Sequence, residues 1–201
     1  MTENAYRFAA YAVARDSDAP AAVTAYAGAV AAAMHRARLE GTTLACQLIA
    51  ELSTDPVTHA AAVSIGPFGV LALQDWLTEV WDAVDELAAV TEVPELTADE
   101  QMYRRATTEL FTETDASAST ATLSFAGALA VANVRWLAEG VVAEATTVTL
   151  VLEDDPVAAA GREELDESTR ASIAISVGNR WHVIMERVHV MEAVSAIEAA
   201  A

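Results

Sequence analysis

Residues 26–41 read YAGAVAAAMHRARLEG, and residues 125–140 read FAGALAVANVRWLAEG, nearly the same phrase about a hundred residues later. Each carries a glycine near its start (Gly28, Gly127), an arginine four residues before a glutamate (Arg36 and Glu40, Arg135 and Glu139), and a closing glycine (Gly41, Gly140). Alanine is the strongest helix former and glycine the commonest residue just past a helix end, so each stretch reads as one helix stopped at its last glycine. The arginine and glutamate stand one turn apart, where side chains on one face can meet.

The likeness extends outward in both directions. Tyr6-Arg7 aligns with Tyr103-Arg104, Asp55-Pro56-Val57 with Asp155-Pro156-Val157, and Trp81, Val84 and Glu86 with Trp181, Ile184 and Glu186. Alanine matches come cheaply in this chain, but Gly, Arg, Glu-Gly, Asp-Pro and Trp recurring in one order indicate internal duplication. The expected fold is all-α, with two tandem helical-bundle units of about 100 residues each. Their spans are 1–93 and 94–201, related by a pseudo-twofold axis and joined through TEVPELTAD at 91–99, where Pro94 breaks a helix. Each unit should hold a short first helix, the glycine-containing helix, a third helix, a turn opened by Asp-Pro, and a long fourth helix.

Helix starts are legible from capping chemistry. Asp18 with Pro20, Asp55 with Pro56 and Asp155 with Pro156 each place a carboxylate beside a first-turn proline. Thr97 and Glu100 have the spacing of a capping box. The stripe Val70, Leu73, Leu77, Val80, Val84, Leu87 predicts one long helix, and Ile173, Val177, Trp181, Ile184, Val188, Met191 another. The β-branched run at 141–152 has a strand-like look, but its counterpart TTLACQLIAEL reads as helix and so does it.

A glycine inside a helix costs about 1 kcal/mol relative to alanine, so Gly28 and Gly127 suggest close approach of a neighbouring backbone. The simplest arrangement packs the two glycine-containing helices on each other across the axis; in the other, each glycine serves a contact within its own unit. Arg36 and Arg135 read as helix-end punctuation favoured by the dipole, with anion binding as the functional alternative. Trp81 and Trp181 are expected core anchors, while Trp76 and Trp136, which have no counterparts, face either a partner or the packing. Tyr6 and Tyr103 read as core-edge aromatics with hydroxyls in water.

The chain has 201 residues, 54% hydrophobic, and a net charge of −19 without a single lysine. It is long enough for a substantial core. That charge excludes a basic footprint for nucleic acid. It fits a salty cytoplasm, a high-GC genome or an acidic mimic of DNA that occupies a basic protein. The lone cysteine, Cys46, excludes an internal disulfide and reads as a buried thiol; with no signal-like opening, the expected location is a reducing cytoplasm. Two uncharged runs, 56–74 and 116–134, approach spanning length, but glycine, proline, serine and threonine interrupt them, so no membrane partner is expected.

His182, Glu186 and His189, at i, i+4 and i+7, form the one arrangement with metal-site spacing, and Glu186 with His189 has the Glu-x-x-His step of carboxylate-bridged bundles. The matching positions in the first unit are Asp82, Glu86 and Ala89, and the three side chains point away from the core stripe. No phosphate loop, nucleophile elbow or zinc-spaced Cys/His set is present, so no catalytic residue is assigned and no cofactor beyond a metal on that face. What the units share is packing chemistry. The expected role is therefore a non-enzymatic protein-protein interaction or assembly protein, by self-association or with a protein partner. Val183, Val190, Val194 and Ile197 lie outside the main stripe and need cover. A metal-binding enzyme on the His182 face and the acidic mimic are the alternatives.

Overall fold

Capping chemistry decides where the helices begin. In a computed structural model, which describes residues 2–15, 19–94, 96–139 and 144–199, Asp55 accepts hydrogen bonds from the N–H groups of Val57 and Thr58, and Asp155 from that of Ala158. Pro56 and Pro156 open the helices that follow, where a missing N–H costs nothing. Thr97 and Glu100 close a reciprocal capping box. Asp18, Gly140 and residues 141–143 lie outside the described residues. Pro20 precedes its helix as the capping residue without a side-chain bond. The first free N–H there, on Ala21, donates to the Glu164 carboxylate from the other half of the chain.

The result is all-helical, with eleven helices and no strand among the described residues. They are α1 (Glu3–Arg15), α2 (Ala21–Glu40), α3 (Leu44–Thr54), α4 (Pro56–Glu79), α5 (Trp81–Ala88), α6 (Ala98–Thr114), α7 (Thr120–Glu139), α8 (Glu144–Asp154), α9 (Pro156–Glu164), α10 (Glu167–Asn179) and α11 (Trp181–Ala199). The β-branched run is helical from Glu144 onward. Gly41 stops α2 in the left-handed conformation at φ 66°, open to glycine at no steric cost.

Alanine explains the centre of the molecule. Residues 24–34 of α2 are all buried, as are residues 123–132 of α7, so these helices show no solvent face until their last turns. A helix buried all round must be small-sided to let neighbours close in. α1 lies along α2 and α6 along α7, while α4 packs on α2 and α9 on α7. One continuous core joins the halves, running from Tyr26, Leu77 and Val84 to Leu123, Ile184 and Val188. α9 also reaches α2, and α4 reaches α7.

Several of these expectations are corrected. Neither long helix is continuous, because the backbone leaves helical geometry at Val80 (φ −96°, ψ 11°) and Arg180 (φ −101°, ψ 8°), one residue before each paired tryptophan. α4 also bends at Gly66, whose φ of 73° suits glycine, just before Pro67 removes an N–H. The apolar stripes survive these breaks, since Leu77, Val84, Ile173, Val177, Ile184 and Val188 are all buried. Cys46 is exposed, because α3 turns Leu48 and Glu51 inward, with Leu44 and Leu52 packed at the core edge, and leaves Cys46 and Ile49 outside.

Gly28 and Gly127 do not chiefly serve each other. A Cβ on Gly28 would stand 2.1 Å from the Tyr11 ring of α1, and one on Gly127 would stand 3.1 Å from Arg104 Cγ of α6. What approaches is therefore a long side chain from the first helix of the same half. The backbone approach belongs to Gly161, whose Cβ would lie 2.9 Å from Ala121 Cα.

The paired tryptophans behave as packing anchors. Trp81 stacks on Tyr6 with ring centroids 5.4 Å apart, and Trp181 on Tyr103 at 5.2 Å, within the range favoured by offset aromatic pairs. The Tyr6 hydroxyl does not end in water, since Tyr6 is buried and its O–H donates to Asp85. Burial, the bond to Asp85 and that carboxylate's charge push its pKa from 10.0 up to about 12. A group raised on folding stabilises the fold fully below its unfolded pKa and loses that contribution as pH climbs through the folded one. Absorbance titrations of the parent and of Tyr6→Phe should therefore differ by one tyrosine ionising near pH 12, and the parent should lose more stability than the variant between pH 10.0 and 12.

Candidate functional site

A cavity of about 360 Å³ lies between the two halves. α1 contributes Arg7, Phe8 and Tyr11, α6 contributes Arg104 and Thr108, and the α3–α4 corner contributes Glu51, Asp55 and Val57. α7 and α8 add Val131, Arg135, Val151 and Asp154, and the connection before α6 adds Val93 and Leu96. The volume falls at the small end of the roughly 300–1,000 Å³ typical of ligand pockets.

The charged groups are organised by the fold. Glu51, on the inward face of α3 with 9% of its side chain exposed, accepts from Arg7 Nη2 at 3.0 Å and, on its other oxygen, from Arg36. Arg36 also reaches Glu3 at 2.8 Å and Gln47 at 3.0 Å. In the second half, Arg135 Nε donates to Glu100 at 2.7 Å and its Nη1 to Asp154 at 3.1 Å. Arg36 therefore does not pair with Glu40, which accepts from Gln47 instead. Both arginines reach off their own helices, because a buried carboxylate is the stronger partner for a guanidinium that is itself withdrawn from water.

Glu3 was not singled out from the sequence, and Glu100 only as a capping-box residue, yet each ties the first helix of its half to the arginine of the glycine-containing helix. Each stands three residues before the paired tyrosine, in the shared order Glu-x-x-Tyr-Arg. Carrying the alignment one turn upstream of Tyr6 and Tyr103 finds them.

Electrostatics keep the arginines charged and Tyr11 neutral. Burial works against the Arg7 charge, but Tyr11, Glu51 and Asp55 outweigh it and raise its pKa above the ordinary arginine value. Arg104 is raised chiefly by Asp155, 3.1 Å away, against the opposing effect of burial. Tyr11 is pushed up by its burial, with Arg7 and Arg104 pulling the other way. Burial would likewise raise the Glu51 pKa, but Arg7 and the hydrogen bonds from Arg36 and Arg7 hold it below the usual carboxylate range.

Elsewhere the structure presents apolar surface. Two helices are long and apolar enough to cross a bilayer by length and composition alone. The apolar stretch of α7 is 61% buried, as befits a core helix, whereas that of α4 is only 17% buried. Phe68, 87% exposed, and Leu71 stand one turn apart on α4, and Val190, Val194 and Ile197 share one exposed face of α11. Val183 instead packs against the core, and Trp76 does too, while Trp136 is exposed.

His182, Glu186 and His189 lie exposed on α11. Among the described residues, no group of three or more His, Cys, Asp or Glu side chains is arranged to hold a metal ion. No family model, no curated protein and no solved structure matches the chain.

Proposed function

We propose that this chain is a non-enzymatic assembly protein that docks onto further copies of itself through apolar helix faces. Its body would consist of two duplicated units, 1–93 and 94–201, related by a pseudo-twofold axis. The carrying observation is α4, whose apolar stretch is only 17% buried and which leaves Val63, Phe68 and Leu71 exposed. Contiguous apolar surface of this kind in a protein otherwise dense in carboxylates marks an interaction site. A second copy is the favoured occupant because the chain bears a second such face on α11, where Val190, Val194 and Ile197 are exposed, so that apolar faces of two copies can cover one another.

Several features support the duplication. α2 and α7 each span 20 residues, and α3 and α8 each span 11. Both halves stack a first-helix tyrosine on a tryptophan placed just after a backbone break. Both also join a first-helix glutamate to the arginine of the central helix.

Light scattering across protein concentration and salt tests the assembly. Copies this acidic repel one another, and salt shortens that repulsion to about 10 Å at 0.1 M and about 3 Å at 1 M. The expected outcome is a defined oligomer that strengthens with salt, and Phe68→Asp should leave a monomer of unchanged melting temperature. A species that stays monomeric in all salts overturns the reading. Capture of a basic protein that salt dissolves would point to the acidic mimic instead.

A further inference from the structure

We propose that the cavity between the halves binds a small organic monocarboxylate, its head held by Tyr11 and Arg104 and its apolar body lying against Val57, Leu96, Val131 and Val151. The inference starts from which polar groups around the cavity are already taken up. Glu51 accepts from two arginines, Asp154 from Arg135, and Asp155 from the Ala158 N–H and Arg104. Asp55 accepts from two N–H groups and the Thr58 hydroxyl. These carboxylates therefore have no strong call on a ligand donor.

Two groups differ. Tyr11 is 8% exposed, yet its hydroxyl makes no hydrogen bond to any described residue. Lining the cavity, that hydroxyl is free to donate to an acceptor bound there. Arg104 contacts one carboxylate through a single nitrogen, leaving the remaining donors of a five-donor fork for the cavity it lines. Both are seated by the paired glycines, since Gly28 lies beneath the Tyr11 ring and Gly127 beneath the Arg104 stem.

The unfilled capacity is that of donors, so the ligand head must accept. One phenol and part of one guanidinium suit a single negative charge in a planar, two-oxygen head. A dianion is disfavoured, because four arginines and four carboxylates line the cavity and balance in formal charge, while the whole chain is strongly acidic. The apolar share of the wall, from four different elements, calls for a hydrocarbon body of modest length.

Titration calorimetry on the intact protein tests this with hexanoate, inorganic phosphate and hexylamine as probes. Hexanoate is expected to bind with a dissociation constant of about 1 mM or tighter, and the other two to give no saturable heat. Tyr11→Phe keeps the ring and removes only the hydroxyl, and Arg104→Gln removes the charge. Each should weaken hexanoate at least about tenfold while thermal melting shows the fold retained. Hexanoate that fails to bind overturns the proposal, as does phosphate binding more tightly, or an affinity unchanged in Tyr11→Phe. None of these outcomes depends on the oligomer, because Phe68→Asp should bind hexanoate as the parent chain does.

Discussion

Glu51→Gln should lower stability by about 3 kcal/mol and the melting temperature by about 6–12 °C, the largest effect of any single polar substitution in the molecule. Glu51 is the shared partner of Arg7 and Arg36, whose side chains are 17% and 22% exposed. Removing its charge leaves two guanidinium groups withdrawn from water around one neutral amide, and that amide presents an N–H₂ where an acceptor stood. The penalty arises from the abandoned charges more than from a lost attraction. Glu3→Gln provides the control. Glu3 touches the same arginines at 3.3 and 2.8 Å, but its side chain is 34% exposed, so water replaces it at a cost below about 1 kcal/mol. Equal losses in the two variants would mean that Glu51 is not the hub of the network.

The same residue sets an acid limit. Its pKa is lower folded than unfolded, so its contribution is fully present above the unfolded value and fades as pH falls through the folded one. Parent protein should therefore lose stability below the ordinary carboxylate range of about pH 4–5, and Glu51→Gln should show a flatter profile over that interval. Urea melts at stepped pH read both curves.

How far the sequence reaches is clear from particular residues. Asp55, Asp155 and the Thr97–Glu100 pair announced helix starts because capping is local, fixed by atoms within three positions of one another. The stripes ending at Leu87 and Met191 announced buried faces because burial follows a period that survives a kink. The breaks at Val80 and Arg180 were not legible, since neither residue is a helix breaker; the backbone turns there as each following tryptophan stacks on a tyrosine of another helix. Arg36 seemed bound to Glu40 because spacing describes neighbours on one helix only, whereas Glu51 reaches it across the fold. The cavity stayed hidden for the same reason. Its walls come from positions scattered between Asn4 and Asp155, and no linear motif joins them.

The paired glycines, identical as sequence signals, should respond in opposite directions to alanine. At Gly28 the new Cβ would lie 2.1 Å from Tyr11 Cε1 and 2.8 Å from two more ring carbons, distances that carbon atoms do not tolerate. The ring is rigid and lies between α1 and a central helix that is buried on every side, so relief requires α1 to move. Alanine gains about 1 kcal/mol of helix propensity, and overpacking of this kind costs about 3 kcal/mol, so Gly28→Ala should destabilise by about 2 kcal/mol. At Gly127 the nearest atoms are Arg104 Cγ at 3.1 Å and Thr108 Cγ2 at 3.3 Å. The arginine stem is flexible and part-exposed, and it yields a few tenths of an ångström without displacing α6. Gly127→Ala should thus be neutral or stabilising by up to about 1 kcal/mol. A double-mutant cycle isolates the cause: in a Tyr11→Ala background the clash is gone, and Gly28→Ala should turn from destabilising to stabilising, a coupling of about 3 kcal/mol. Additive effects would mean that Gly28 does not exist to seat the Tyr11 ring. Because the same ring carries the hydroxyl assigned to ligand binding, Gly28→Ala should also abolish hexanoate binding while Gly127→Ala only weakens it.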